Sequence, residues 1–343
     1  MFIDALLASE SATVREKVDA LIALGGVYAT SVFHQAETTK QFERAVELAS
    51  AAEDVPLICT ILTALARTLY RAMQPDAALS QFQRAIQLGQ EIKEKDPKPY
   101  YAALIEFGRV STNMNAKGGK EKAFKALDEA VTGSRELGEY TQLHADALVA
   151  MAEWKKNTGD LEGCIELVEQ ALTTKKLTKL EEARALTYLG AAQSEQEGGT
   201  EAALESYGKA VELRVASHAN GAEHHSVAEV YIDIAAEHFE RQDYPATIEA
   251  LERCIPFLNL PREVLDVQFA WYKKALSLDG LEGDPLKERY RQLKQRRKEV
   301  ERSRVRLPAP KKEVAEVASS FLPTPINLAP KKKKPQQKGK KKK

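Results

Sequence analysis

The sequence predicts an all-α chain: a solenoid of about six helix hairpins, then a capping helix, a basic helix and a disordered lysine-rich tail. Three observations predict it. The apolar residues are dominated by Ala and Leu, which lose little entropy in helices, and Pro is scarce before the last third. A pattern of small and large residues recurs six times at helix-hairpin intervals. Composition and charge break sharply near residue 280.

The repeat template lies between Leu62 and Ala85, with Ala66, a turn at Met73-Gln74-Pro75-Asp76, then Ala78, Phe82 and Ala85. Two small residues stand 12 apart; a bulky one follows after 4 and a third small one after 3. Ala152, Cys164, Val168, Ala171 and Ala235, Thr247, Leu251, Cys254 keep those intervals. Gly25, Thr38, Phe42, Ala45 and Gly190, Ala203, Tyr207, Ala210 need one extra turn residue. Gly108, Ala123, Leu127, Ala130 needs three, within Asn115-Ala116-Lys117-Gly118-Gly119-Lys120. Small residues belong where two helix backbones nearly touch, and the large one fills the gap beside them. The polar runs Asn157-Thr158-Gly159-Asp160 and Arg241-Gln242-Asp243-Tyr244-Pro245 mark hairpin loops, the second with Asp243 as cap and Pro245 in the first turn.

This succession resembles the tetratricopeptide repeat family over residues 18–258. The resemblance implies a right-handed superhelix whose concave wall is built from the first helix of each pair. The final small residues stand 40, 45, 41, 39 and 44 apart, against 34 in the common repeat. That length, with Ala210-Val211-Glu212-Leu213-Arg214 and His224-His225-Ser226-Val227-Ala228 at one junction, is similar to the kinesin-light-chain-like branch. Two family binding modes are not matched. The chaperone-carboxylate clamp needs Lys and Asn where Ile22, Gly26, Thr63, Arg67, Ile105 and Arg109 stand. The light-chain groove asparagines are replaced by Thr63, Ile105, Val149, Thr187 and Ile232.

The expected order is an N-terminal helix or cap (1–17), the array (18–258), a capping helix (259–280), a basic amphipathic helix (284–307) and a tail (308–343). Val264, Val267, Phe269, Trp271, Tyr272, Ala275 and Leu278 supply the cap's apolar residues. Asp284 and Pro285 open the next helix, with Leu286, Tyr290, Leu293 and Val300 on one face. After Leu307 the composition permits no core, and Phe321-Leu322-Pro323-Thr324-Pro325-Ile326-Asn327-Leu328 is an apolar island, either a linker feature or a docking peptide.

The formal net charge of zero hides a division. From residue 281 onward there are 21 Lys and Arg against 7 Asp and Glu, or +14; the first 280 residues carry −14. An anionic polymer, RNA or an acidic filament, is therefore an expected partner of the basic end. Its contact residues are expected to be Arg296, Arg297, Lys298, Lys331, Lys332, Lys333, Lys334, Lys340, Lys341, Lys342 and Lys343. The lysine run also has the composition of a nuclear import signal.

No enzyme motif stands out. Gly118-Gly119-Lys120 and Gly198-Gly199-Thr200 lack P-loop spacing and read as hairpin turns. His218, His224 and His225 cluster in an inter-repeat loop without zinc-motif spacing, and Cys59, Cys164 and Cys254 are too dispersed for a metal or disulfide framework. No metal, cofactor or small-molecule substrate is expected. No apolar run approaches membrane-spanning length, and the start is a poor signal peptide, so a cytoplasmic protein is expected, with nuclear or ciliary placement as alternatives. Function then falls to a protein-binding groove on the first helices: Arg67, Tyr70, Arg71, Arg109, Asn113, Glu153, Lys156 and Asn157. Arginines beside Tyr70 suit an acidic, partly aromatic peptide.

Overall fold

The computed structural model describes residues 6–28, 34–114, 119–138, 141–258, 262–279 and 283–303. No strand occurs among them. Twelve helices form six successive hairpins: α1 (Val14–Tyr28) with α2 (Gln35–Ala51), α3 (Val55–Arg71) with α4 (Pro75–Ile92), α5 (Lys98–Thr112) with α6 (Gly119–Glu136), α7 (Gln142–Thr158) with α8 (Leu161–Thr173), α9 (Lys179–Ser194) with α10 (Thr200–Ser217), and α11 (His225–Glu240) with α12 (Tyr244–Cys254). Two more follow, α13 (Arg262–Leu278) and α14 (Asp284–Ser303).

The small–large pattern is the core of each hairpin. Ala66, Ala78, Phe82 and Ala85 are all fully buried, as are Ala152, Cys164, Val168, Ala171, Ala235, Thr247, Leu251 and Cys254. Where glycine takes the first small position, the reason is contact distance. A Cβ on Gly108 would lie 2.5 Å from the Leu127 side chain, and one on Gly25 would lie 2.6 Å from Phe42. The large residue of the second helix is thus seated directly on the backbone of the first. Each buried aromatic or aliphatic side chain at that position contributes about 1.5–3 kcal/mol.

The turns repeat as well. Met73, Gly159 and Gln242, each between the helices of a hairpin, have φ of 61°, 85° and 60°. The residue after each returns its N–H to the carbonyl five positions back: Gln74 to Leu69, Asp160 to Lys155 and Asp243 to His238, at 2.9–3.0 Å. This is the Schellman arrangement, which satisfies helix-end carbonyls. Asp160 and Asp243 then cap the next helix, accepting from the N–H of Gly163 and Ala246. One residue ends a helix and its neighbour starts the next.

First helices contact the first helices of following hairpins: α1 with α3, α3 with α5, α5 with α7, α7 with α9 and α9 with α11. Among the described residues no comparable contact joins successive second helices. Crowding on one side and splaying on the other curve the stack into a solenoid, with the first helices on the inner wall.

Several boundaries differ from the sequence expectation. α1 begins at Val14, with Thr13 and Glu16 forming a reciprocal capping box, inside the segment expected as a separate cap. Gly119 and Lys120 belong to the first turn of α6 rather than to the loop; residues 115–118 lie outside the described residues. On α13, Leu265, Tyr272, Ala275 and Leu276 are buried against the last hairpin, but Val267 and Leu278 are about half exposed and point away. α14 starts at Asp284 as expected and is described to Ser303, residues 304–307 lying outside the described residues, and its Leu293 enters the same core. The tail with its apolar island lies outside the described residues.

Candidate interaction surfaces

The inner wall carries a network of charged side chains that the helix register brings together from distant repeats. Arg109 on α5 is central. Its Nη2 donates to Glu181 Oε2 on α9 at 2.7 Å, its Nη1 to Glu181 Oε1 at 3.3 Å, and Nη2 also reaches the Asp146 carbonyl on α7 at 3.3 Å. Glu106 lies 3.8 Å from Arg109 and 3.7 Å from Arg67 on α3; Arg184 lies 3.2 Å from Glu181. A second chain runs along α5 and α7: Asn113 donates to Glu153 at 2.8 Å, and Asn157 donates to Asn113 at 3.3 Å. Lys156 stands over the Tyr188 ring at 5.8 Å.

The expected groove residues therefore divide. Arg109 and Glu153 are 7% and 8% exposed, so they tie the wall together instead of facing solvent. Arg67, Arg71 and Asn113 are exposed, while Tyr70, Lys156 and Asn157 are half-buried. Arg71 carries no hydrogen bond or ion pair among the described residues. Its guanidinium pKa is lowered, first by the protein mass crowding the groove and then by the like charge of Arg67; it also senses Arg184 on α9 and Glu229 on α11. Charges four hairpins apart thus act on one space.

Sequence reading missed Glu106, Asp146, Glu181, Arg184 and Asp233. They lie on the same inner helices, and extending the stripe by four-residue steps onto α9 and α11 would have found Glu181, Arg184 and Asp233. Burial pushes Asp146 up to about 7, with the Glu181 charge adding to it and Arg109 opposing. Burial likewise raises Asp233 to about 6. Burial also acts upward on Glu181, but the Arg109 and Arg184 charges outweigh it and hold this carboxyl below the usual range.

The histidines form a stack, not a chelate. The His218 and His224 rings lie 3.5 Å apart and 10° from parallel, His225 tilts against His224, and the Ser226 hydroxyl bonds both His218 and His224. Stacked rings set their nitrogens side by side, and no group of three metal-binding side chains converges among the described residues. The three cysteines are buried free thiols; burial lifts Cys59 and Cys164 to about 11.

The basic helix α14 sorts its cations. Arg297, expected on the outer basic surface, is 9% exposed and donates from Nη1 to the Ile255 and Leu258 carbonyls at 2.7 and 3.2 Å. It satisfies acceptors at the end of α12, where a helix terminus attracts positive charge. Arg289 holds Glu252 through two bonds at 2.7 and 3.1 Å, and Arg296 lies over the Phe257 ring at 5.4 Å. Lys298 is exposed. The expected contacts at Lys331–334 and Lys340–343 lie outside the described residues.

These features define a helical-repeat protein of the solenoid class. Among solved structures the chain resembles BtubC (BKLC) from P. vanneervenii, at a TM-score of 0.51 and 17% identity, covering 68% of this chain and 93% of that one. The likeness is one of fold. No protein-family model and no curated protein matches the chain. No helix among the described residues is long and apolar enough to cross a membrane.

Proposed function

We propose that the protein is a non-catalytic scaffold whose inner groove holds a segment of a protein partner while its basic C-terminal region contacts a second, anionic partner. The observation that carries the groove reading is Arg71: an exposed guanidinium with no ion pair among the described residues, one turn from the exposed Arg67 and next to Tyr70 on the inner wall. A carboxylate-bearing peptide would supply the missing counter-charge and lie against Tyr70. Arg109 and Glu153 are assigned to holding the wall in shape. The fold supports a tetratricopeptide-type reading, and the repeat length favours its kinesin-light-chain-like branch.

The test is affinity capture from lysate with the full chain, an Arg67→Glu/Arg71→Glu variant, and a version ending at Arg306, each with and without nuclease. Loss of a protein partner in the groove variant, with retention after truncation and nuclease, supports the scaffold. Loss of all partners on truncation or nuclease treatment would make the array a spacer and favour the RNA-associated alternative. Capture of an acidic filament through the tail would favour a cytoskeletal one.

A further inference from the structure

We propose that one face of α14, formed by Lys287, Arg291, Lys294, Lys298 and Arg302, binds the phosphate backbone of nucleic acid without reading its sequence. This rests on the anionic-partner half of the function above and names that partner's chemistry.

The stripe is an exposed row on the side of the helix away from the cations that hold it to the array. Arg289, Arg296 and Arg297 are turned onto the last hairpin, engaging Glu252, Phe257 and the carbonyls of Ile255 and Leu258. The five remaining cations are all exposed. At about 100° per residue they fall within an arc of roughly 80°, and at 1.5 Å per residue they form a row about 22 Å long with steps of about 4.5–6 Å. Lys294 is steadied over the Tyr290 ring at 4.5 Å, and Arg291 shares one exposed bond with Glu288 at 2.7 Å. Glu301, which neighbours the row, is engaged by Arg297 at 2.9 Å.

The row discriminates among anions. Insertion of the helix into a membrane interface would need an exposed apolar face, yet Leu293 is buried and Tyr290 and Val300 pack on the same core. An acidic protein segment would bring side chains needing pockets, and the row offers only a shallow depression along the helix itself. A polyphosphate presents charge at every step and asks for nothing between. The same end of the chain continues into 13 further Lys and Arg beyond Ser303, while the −14 array repels a polyanion from everywhere else. The row has no free aromatic platform for stacking unpaired bases, which favours a duplex backbone.

The test titrates full-length protein into a labelled mixed-sequence DNA duplex of about 20 base pairs and, separately, into polyglutamate. The variant is Lys287→Gln, Arg291→Gln, Lys294→Gln, Lys298→Gln and Arg302→Gln together; glutamine is a good helix former, so α14 keeps its helicity. The control removes equal charge from the array at Lys40, Lys122, Lys175, Lys176 and Lys179, all to Gln. The expected result is at least about a tenfold loss of duplex affinity in the α14 variant, a fall in salt slope of up to about 4.5, and a control within about twofold of wild type. Unchanged duplex binding in the α14 variant overturns the assignment; if binding is then lost on truncation at Arg306, the tail is the contact and the broader anionic-partner reading survives. Polyglutamate bound as tightly as the duplex overturns it in favour of an acidic protein. Absence of duplex binding by wild type overturns it outright.

Discussion

Arg109 and Glu181 meet across an intervening repeat: a guanidinium on α5 grips a carboxylate on α9, 72 residues away, with α7 lying between. Side-chain exposure is 8% for Arg109 and 19% for Glu181, so neither charge is well solvated. Replacing Arg109 with Met leaves Glu181 buried beside Glu106 and without its main partner. The expected loss is about 3–5 kcal/mol, whereas Arg109→Met/Glu181→Leu should recover most of it, because removing both charges also removes their desolvation cost. Urea unfolding of the two single variants and the double variant completes the cycle. Additive losses would show that the pair is not coupled.

Asp146 makes stability depend on pH near neutrality. Its folded pKa is about 7 while an unfolded aspartate titrates near 4, so the folded state holds more protons between those values. Stability contributed by this group is therefore present below about 4 and declines as pH rises to about 7. Asp146→Asn should flatten that decline and be the more stable protein at pH 8, by about 1.4 kcal/mol per unit of the raised pKa. Asp233, raised in the same direction, keeps the slope from vanishing. Thermal melts across pH 5–8 would read this; a variant that parallels wild type would count against it.

The seat of Leu127 on Gly108 sets a steric rule. Gly108→Ala places a methyl 2.5 Å from Leu127 and should cost about 1–3 kcal/mol. Leu127→Ala alone should cost about 2–5 kcal/mol through a cavity. The double variant should cost clearly less than the sum, since the new methyl fills part of the space. Equality with the sum, measured by chemical denaturation, would show that the two positions are independent.

Arg297 fastens α14 to the array. Arg297→Met keeps the apolar stem but leaves two carbonyls at the end of α12 without their donor, costing about 2–3 kcal/mol locally. Hydrogen exchange should accelerate over residues 284–303 and at 255–258 while hairpins one to four remain protected. Uniform protection in the variant would argue that Leu293 and the Arg289–Glu252 pair suffice.

Much of this architecture was legible in residue order, and the reason is local. Ala66, Ala78, Phe82 and Ala85 interact within one hairpin, so their intervals carry the geometry directly. The Arg109–Glu181 pair was not legible, because superhelix curvature decides which distant side chains meet, and no short interval encodes curvature. Arg109 and Glu153 were placed on the inner wall by their stripe, but a stripe cannot say whether a neighbouring turn will cover it. Arg297 shows the same limit. A strongly basic helix hides which of its cations face inward until the acceptors at Ile255 and Leu258 are located.

The Schellman turns followed at once by a capping aspartate have a consequence for how the chain assembles. The fourth and sixth hairpins carry their stop and start signals in adjacent residues, so their two helices can dock with little loop entropy to overcome. Nucleation can begin at any of several hairpins and spread to neighbours, giving rapid folding with frayed ends. The grip of Arg109 on Glu181 is the exception: it can form only after three hairpins have stacked. It makes the middle of the array a cooperative block, the last part to open when the solenoid is pulled or heated from its ends.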